Sequence, residues 1–588
     1  MNAQLNELAD RYVAALLDRQ PEVAYFANLP APAHDRLLDN SPEALREWRA
    51  FEDRLLAELD TIDPAALALP EWVAWGVLTE LLEASRNLRV CRSELWQGVN
   101  HMGSWHLALS FVAERQPVAT ARDRAAALRR WRSLPRYIDI EIRNLRTGLE
   151  QGYSAAKPVA EAMLKQLEQL LATPADEWPL YTMVERSSDD RFGAALQALI
   201  DNELRPAVTR YRDFLANTYI AAAREAIAVT ALPDGAACYR AMLREYSTLD
   251  RDAASVYALG DEQVTANRDR VLALGRKLFG LDDLDAIVAH VNNAPGNRFE
   301  SETALVEHSR AIVRAAREKV EPMFDTLPSA SVVVEPFPDY QRGSGRSSHY
   351  QPPGSAGEPG GYRISLDFWR DETVGGAEIT AVHETWPGHH LQIALALTLE
   401  DQHPIVKLGS NSGYVEGWAR YAEHLAEEAG IYSVEYARIT RRLWPARGMR
   451  VDPGLHRFDW TVDQAIRFLT ESGRFSEDEA SAVVTRIAAI PGQLTAYDSG
   501  ALVIFGLRRE AEETLGPKFD LRKFHQRVLE NGALPLWQLQ DHVRASIAAQ
   551  ADGSRTGTTL NEARVAPRAG VHIPDAPASP RRRTGTTE

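Results

Sequence analysis

The sequence predicts a mainly α-helical protein with a small β-sheet set beside the helix that carries its densest group of histidines. Three observations lead there. Apolar residues recur at helical spacing along most of the chain, residues 328–368 switch to strand and turn composition, and "AVHETWPGHHLQ" (381–392) follows that switch.

The helical pattern starts early. In "ALREWRAFEDRLLAELD" (44–60), Leu45, Trp48, Phe51, Leu55 and Leu59 share a face and the charges lie opposite. "RDRAAALRRWRSLPRYIDIEIRNLRTGLEQG", "AEAMLKQLEQLLA" and "RVLALGRKLFG" continue it without a fixed period, which argues against a solenoid. Residues 1–325 therefore read as a helical N-terminal part and 326–550 as the part that carries chemistry. Within the latter, "SVVVEPF" (331–337) and "YRISLDF" (362–368) read as short strands joined by a Gly-, Ser- and Pro-rich loop. The tail, 551–588, is poor in large apolar residues and reads as disordered.

Composition narrows the partners. A net charge of −16 spread along the chain argues against a nucleic-acid surface. Apolar runs such as "ALVIFGL" (501–507) are too short to span a bilayer, so no membrane partner is expected. The first residues lack the apolar core of a signal peptide, and Cys91 and Cys238, far apart, read as no disulfide framework. Both point to a cytoplasmic location.

The histidine stretch poses a spacing problem. In H-E-x-x-H, two histidines four residues apart meet one ion from one helix face. Here His383-Glu384 opens the pattern, but position 387 is proline and the next histidines are His389 and His390. "VGGAEITAVHETW" (374–386) reads as a helix with Ile379, Val382 and Trp386 as its apolar stripe. Pro387 removes an amide donor and Gly388 relaxes the backbone, so a bulge or kink is expected. On an unbroken helix His390 returns to the face of His383 only about two turns (~10.5 Å) away, which is long for one ion. A bulge that absorbs two residues puts His389 in the second ligand position, with His390 as the alternative. Glu416, in "GYVEGWARYAEHLAEEAG" (413–430), is the candidate third ligand, since catalytic zinc keeps three protein ligands and an open position. Glu423, on roughly the same face, is placed to support a ligand by a hydrogen bond, while Glu427 and Glu428 read as solvated.

These residues resemble a bacterial domain-of-unknown-function family numbered eight hundred and eighty-five. Its signature H-E-x-x-P-G-H-H-L-Q is matched without a gap from His383 to Gln392. "ALPDGAACYRAMLREYSTLD", "VEGWARYAE", "RVDPGLH", "IPGQLTAYDSG" and "FHQRVLENGALPL" look like further family blocks in order. The plan is similar to helical zinc peptidases of the thimet-oligopeptidase type (H-E-x-G-H) and the dipeptidyl-peptidase-III type (H-E-x-x-G-H). Aligning their G-H with Gly388-His389 makes a graded series of insertions that favours His389, and the thimet type's E-x-W matches Glu416-Gly417-Trp418.

The resemblance implies a zinc-dependent metallohydrolase of peptide bonds, carboxypeptidase- or oligopeptidase-like, with one zinc per chain and Glu384 as general base. Its blocks make Tyr497 and His456 candidate oxyanion donors, and Arg508 and Arg450 candidate partners for a substrate carboxylate. Tyr362 belongs to "GYRISL", read as a sheet edge that pairs with a peptide substrate, Gly360-Gly361 leaving room for its backbone. Two other readings keep most of this: hydrolysis of a non-peptide amide, or a metal-free helical scaffold, against which the retained Glu384 counts.

Overall fold

The computed structural model describes residues 2–337, 342, 347–354, 357–409 and 411–551. Residues 552–588, almost all of the tail expected to be disordered, and much of the inter-strand loop lie outside the described residues. The fold is mainly α, with one three-stranded sheet among the described residues. Local signals set many helix starts: Ser41, Thr120, Thr461 and Ser476 each accept an amide hydrogen from the third residue on.

The largest apolar core joins Leu5, Trp72 and Leu78 to Trp386, Leu391, Trp418, Tyr421 and Leu536, so the N-terminal helices wrap the segment bearing the histidines. A second core, built around Trp131, Trp178 and Tyr211, closes onto Ala488 and Ala489 from the C-terminal half. No helix among the described residues is long and apolar enough to cross a membrane.

The cysteines correct the sequence reading. Cys91 and Cys238 form a disulfide across 147 residues, with their Cα atoms 4.7 Å apart. Both are buried in a small core with Trp96, Tyr239 and Met242. Sequence distance hid this pairing, because it depends on the helix Gly235–Ser247 packing against the turn at Arg89–Cys91.

The sheet also differs from expectation. It contains β1 (Val332–Pro336), β2 (His349–Gln351) and β3 (Gly360–Ile364), in the order β1-β3-β2. β1 runs parallel to β3 and β2 antiparallel to it, with Tyr350 opposite Tyr362. β3 is thus the central strand, and its backbone is committed on both sides; the edges are β1 and β2. Nor does Gly360 make room for a substrate. A side chain there would strike the Tyr350 hydroxyl at 2.8 Å and His390 Nδ1 at 2.9 Å, so the glycine makes room for those two groups.

The histidine helix is interrupted where a bulge was expected. One helix, Val374–Glu384, starts at Thr373, whose hydroxyl accepts from Gly376 N–H, and stops at Glu384. A second, His389–Leu397, begins after Gly388. The Trp386–Pro387 peptide is cis. Gly388 N–H returns to the Val382 carbonyl at 3.1 Å, and a Cβ at Gly388 would lie 1.9 Å from the His383 carbonyl oxygen, so only glycine fits. Trp418, on the helix Ser412–Glu428, donates its indole N–H to the Pro387 carbonyl at 2.9 Å and ties the break to the neighbouring helix.

Candidate metal centre

The interruption turns His389 back towards His383. Their rings lie 4.7 Å apart, edge to face at 87°. Glu416 approaches from the helix Ser412–Glu428, capped by Asn411, which accepts from Tyr414 N–H at 2.7 Å. Glu416 Oε2 is 3.4 Å from His383 Nε2 and 3.4 Å from His389 Nε2. One ligand atom from each of His383, His389 and Glu416 falls within 4.8 Å of the others. Ligands about 2.0–2.1 Å from a tetrahedral zinc are separated from one another by roughly 3.3–3.4 Å, so the spacing suits such an ion. The donor set fits as well: Glu416 Oε2, which faces both imidazoles, is buried without a hydrogen-bond partner. Such orphaned atoms are costly unless a ligand completes them.

Electrostatics also favour a cation. Burial disfavours the His383 imidazolium, but the carboxylates of Glu416 and Glu423 outweigh it and raise its proton affinity to about 10. Burial would likewise raise Glu416, yet the two imidazoles hold its carboxyl far below the usual range. The site therefore attracts positive charge strongly. Glu384, buried beside these groups, is raised above the ordinary carboxylate range by burial, with the two histidines opposing. That suits a group that must take up a proton and give it back.

The supporting shell is continuous. Glu423 Oε1 is 3.0 Å from His383 Nδ1 and accepts from Arg420 at 2.9 Å, and Arg420 also faces Asp498 at 3.7 Å. A carboxylate on the far ring nitrogen fixes the tautomer and orientation of a ligating histidine. Tyr497 stacks on His383 with ring centroids 6.2 Å apart, on the helix Gln493–Leu515. This helix meets the Glu416 helix at glycines: a Cβ on Gly417 would sit 2.5 Å from the Gly500 carbonyl carbon. His383, Glu384, Tyr497, Trp444 and Arg474 line one cavity of about 210 Å³. Larger cavities, of about 640 and 530 Å³, are lined by neither Glu384 nor the three clustered side chains.

The other sequence candidates lie elsewhere. His390 donates to or accepts from the Tyr350 hydroxyl at 3.0 Å and sits 3.0 Å from the Ala330 carbonyl, so both ring nitrogens are engaged in fastening the helix to the sheet. Burial lowers its pKa to about 4. His456 accepts from Val229 N–H at 3.0 Å, and its other nitrogen is 3.2 Å from the Ile487 carbonyl; it is a packed histidine, held neutral by burial, rather than an oxyanion donor. Arg450 pairs with Asp261 and with the Tyr257 hydroxyl. Arg508 pairs with Glu428 at 2.9 Å and Glu512 at 2.8 Å, in the wall of the 530 Å³ cavity. Tyr362 is a core residue, 2% exposed, under the sheet. Glu427 is not a solvated side chain, since Arg438, Arg441 and Arg442 all converge on it. These misplacements share a cause: sequence blocks show which residues cluster along the chain, not which face each helix turns inward.

A sequence profile described as "bacterial protein of unknown function (DUF885)" matches residues 21–543. The chain belongs to this family. No curated protein matches it. Two solved structures share the fold. A candidate lipoprotein from Colwellia psychrerythraea is 23% identical with a TM-score of 0.85, over 93% of this chain and 100% of that one. A candidate lipoprotein of unknown function from Shewanella oneidensis is 19% identical with a TM-score of 0.72, over 91% and 98% respectively.

Proposed function

We propose that this DUF885 protein is a zinc-dependent hydrolase of peptide bonds. The observation that carries the reading is the cluster of His383, His389 and Glu416, of which His389 is buried and the other two half-buried, with Glu416 3.4 Å from both imidazoles and its Oε2 unsatisfied. Bound there, zinc would supply Lewis acidity and a nucleophilic water near neutral pH. The chain's own groups do the rest. Glu384 takes a proton at its carboxylate during attack and returns it to the leaving amine. Glu423 holds His383 in one orientation through Nδ1. The Tyr497 hydroxyl, which accepts from Arg486 at 3.2 Å, keeps its own proton free to donate to the developing substrate oxyanion.

The buried Cys91–Cys238 disulfide favours an oxidising compartment over the cytoplasm, in line with the description of both structural neighbours as candidate lipoproteins. The test of function is hydrolysis of a mixed peptide pool by zinc-loaded protein and its Glu384→Gln variant, read by mass spectrometry. Cleavage by the wild type, with a variant that keeps zinc but loses about 10²–10⁴-fold in rate, supports the reading. Equal rates in the two proteins would remove Glu384 from the chemistry and the reading with it.

A further inference from the structure

Arg486 is a cation in an unusual setting. Its Nε is shut off from solvent and has no hydrogen-bond partner. One terminal nitrogen donates to Gln493 Oε1 at 2.7 Å and to the Tyr497 hydroxyl at 3.2 Å, both neutral acceptors. Among the described residues it makes no ion pair. Arg130 shows the satisfied case, donating to two backbone carbonyls, a phenol and an amide. Arg224 also keeps one buried nitrogen idle, but its others donate to several backbone carbonyls, whereas Arg486 has only the amide and the phenol. Glu416 attracts Arg486 only from beyond ion-pair contact, and a guanidinium with a buried, idle N–H and no directly paired anion is costly unless one completes it.

A second unsatisfied nitrogen belongs to the same neighbourhood. His101 Nδ1 is buried and lacks a partner. Its loop is fixed to the end of the Arg486 helix (Glu477–Ala489), because Asn100 donates to the Ala489 carbonyl at 3.2 Å. Burial, with the charges of His106 and Arg486 adding to it, lowers the His101 pKa to about 4, so at neutral pH its ring is neutral and Nδ1 can carry the hydrogen. Two idle nitrogens and a phenol thus belong to one neighbourhood around Tyr497, with Arg486 close enough to the metal cluster to be attracted by the Glu416 carboxylate.

We propose that Arg486, with His101 beside it, forms a subsite for a free carboxylate of the substrate, so that the substrates are peptides or acylated amino acids ending in a carboxylate. This rests on the hydrolase reading and makes the enzyme a carboxypeptidase. Reach supports it. The guanidinium carbon is 6.0 Å from the Tyr497 ring centre, which is 6.2 Å from the His383 ring, so it lies within about 12 Å of that ring. At about 3.3–3.6 Å per extended residue, that span admits up to three residues between the broken bond and the terminal carboxylate. Arg474 also lines the site cavity without an ion pair among the described residues and is as half-buried as Arg486, but none of its side-chain nitrogens is both shut off from solvent and unpartnered, as Arg486 Nε is.

The test compares a mixed peptide pool with the same pool amidated at its C-termini, using zinc-loaded wild type, Arg486→Gln and Arg486→Lys, each checked for its unfolding midpoint. The expected result is that wild type prefers the free acids by at least about 30-fold in kcat/KM, as charge-assisted hydrogen bonds imply. Arg486→Gln should lose that preference mainly through KM, and Arg486→Lys should keep part of it. Equal cleavage of acids and amides by wild type overturns the subsite, as does a preference that survives Arg486→Gln but disappears in Arg474→Ala. Calorimetric binding of N-acetyl-leucine against N-acetyl-leucinamide to the Glu384→Gln protein provides an arm independent of turnover. Acid-selective binding lost with Arg486→Gln would sustain the subsite even if no peptide were cleaved, in which case only the hydrolase reading falls. No difference between acid and amide would remove the subsite while leaving that reading intact.

Discussion

Glu423 has the most specific residue-scale role outside the cluster itself. Its carboxylate bridges His383 Nδ1 and Arg420, so removing the charge frees the imidazole to rotate and leaves Arg420 with Asp498 alone. Glu423→Gln is expected to weaken zinc binding by about 10–100-fold with Glu384 untouched, as measured by competition with a metal indicator. Unchanged affinity would show that the carboxylate does not orient His383. At this scale the sequence was legible for His383, Glu384, His389 and Glu416, because a short local motif and an E-x-W pattern bring them into view. Arg486 was not legible. Its significance lies in what it lacks, a carboxylate partner, and that absence exists only once the chain has folded.

Among the elements, the break between the two histidine helices decides which imidazole faces Glu416. The sequence announced a disturbance through Pro387-Gly388, but not that the helix would stop and restart, since that depends on Trp418 receiving the Pro387 carbonyl from another helix. Gly388→Ala would place a methyl group 1.9 Å from the His383 carbonyl oxygen, so the backbone must shift. The expected outcome is loss of zinc together with destabilisation of about 2 kcal/mol or more, seen in denaturant unfolding. A fully zinc-loaded Gly388→Ala protein of unchanged stability would contradict this account of the break. The glycine contact between the Glu416 and Tyr497 helices is a second such point. Gly500→Ala would put its methyl 1.7 Å from the Gly413 carbonyl oxygen, forcing the helices apart and carrying Glu416 and Tyr497 with them. Stability and metal affinity should therefore fall together in that variant. The strand content was readable from β-branched and alternating residues, whereas the sheet order was not, because β2 is three residues long and carries little pattern.

For the whole molecule, long-range pairings dominate what the sequence concealed. The Cys91–Cys238 bond closes 147 residues, and constraining so long a loop restricts the unfolded chain; the chain-entropy model gives about 5 kcal/mol for a loop of this order. The Cys91→Ala, Cys238→Ala double variant should melt well below wild type, and wild type should shift likewise when reduced under unfolding conditions. Acidity provides a second global test. His101, His106, His390 and His525 are lowered to about 4 and His456 to about 3, in each case by burial. A histidine depressed in the folded state contributes stability that is complete above its unfolded pKa of ~6.5 and is lost as pH falls towards the folded value. Glu141, Glu245 and Asp452, raised to about 7 by burial, and Glu22, Glu52, Glu372 and Asp498, also raised by burial, act in the opposite direction over part of that range. The histidine contribution is therefore read by difference: His525→Gln should make the unfolding midpoint fall less steeply than in wild type between about pH 6.5 and about pH 4. Identical slopes in the two proteins over this interval would show that His525 is not buried neutral.

The most direct measurement is bound metal per chain, by mass spectrometry on protein purified without chelator and then offered zinc, in wild type, His383→Ala, His389→Ala, His390→Ala and Glu416→Ala. The account predicts one zinc in wild type and in His390→Ala, and its loss in the other three. No metal in wild type, or metal that survives His389→Ala and disappears in His390→Ala, would contradict it.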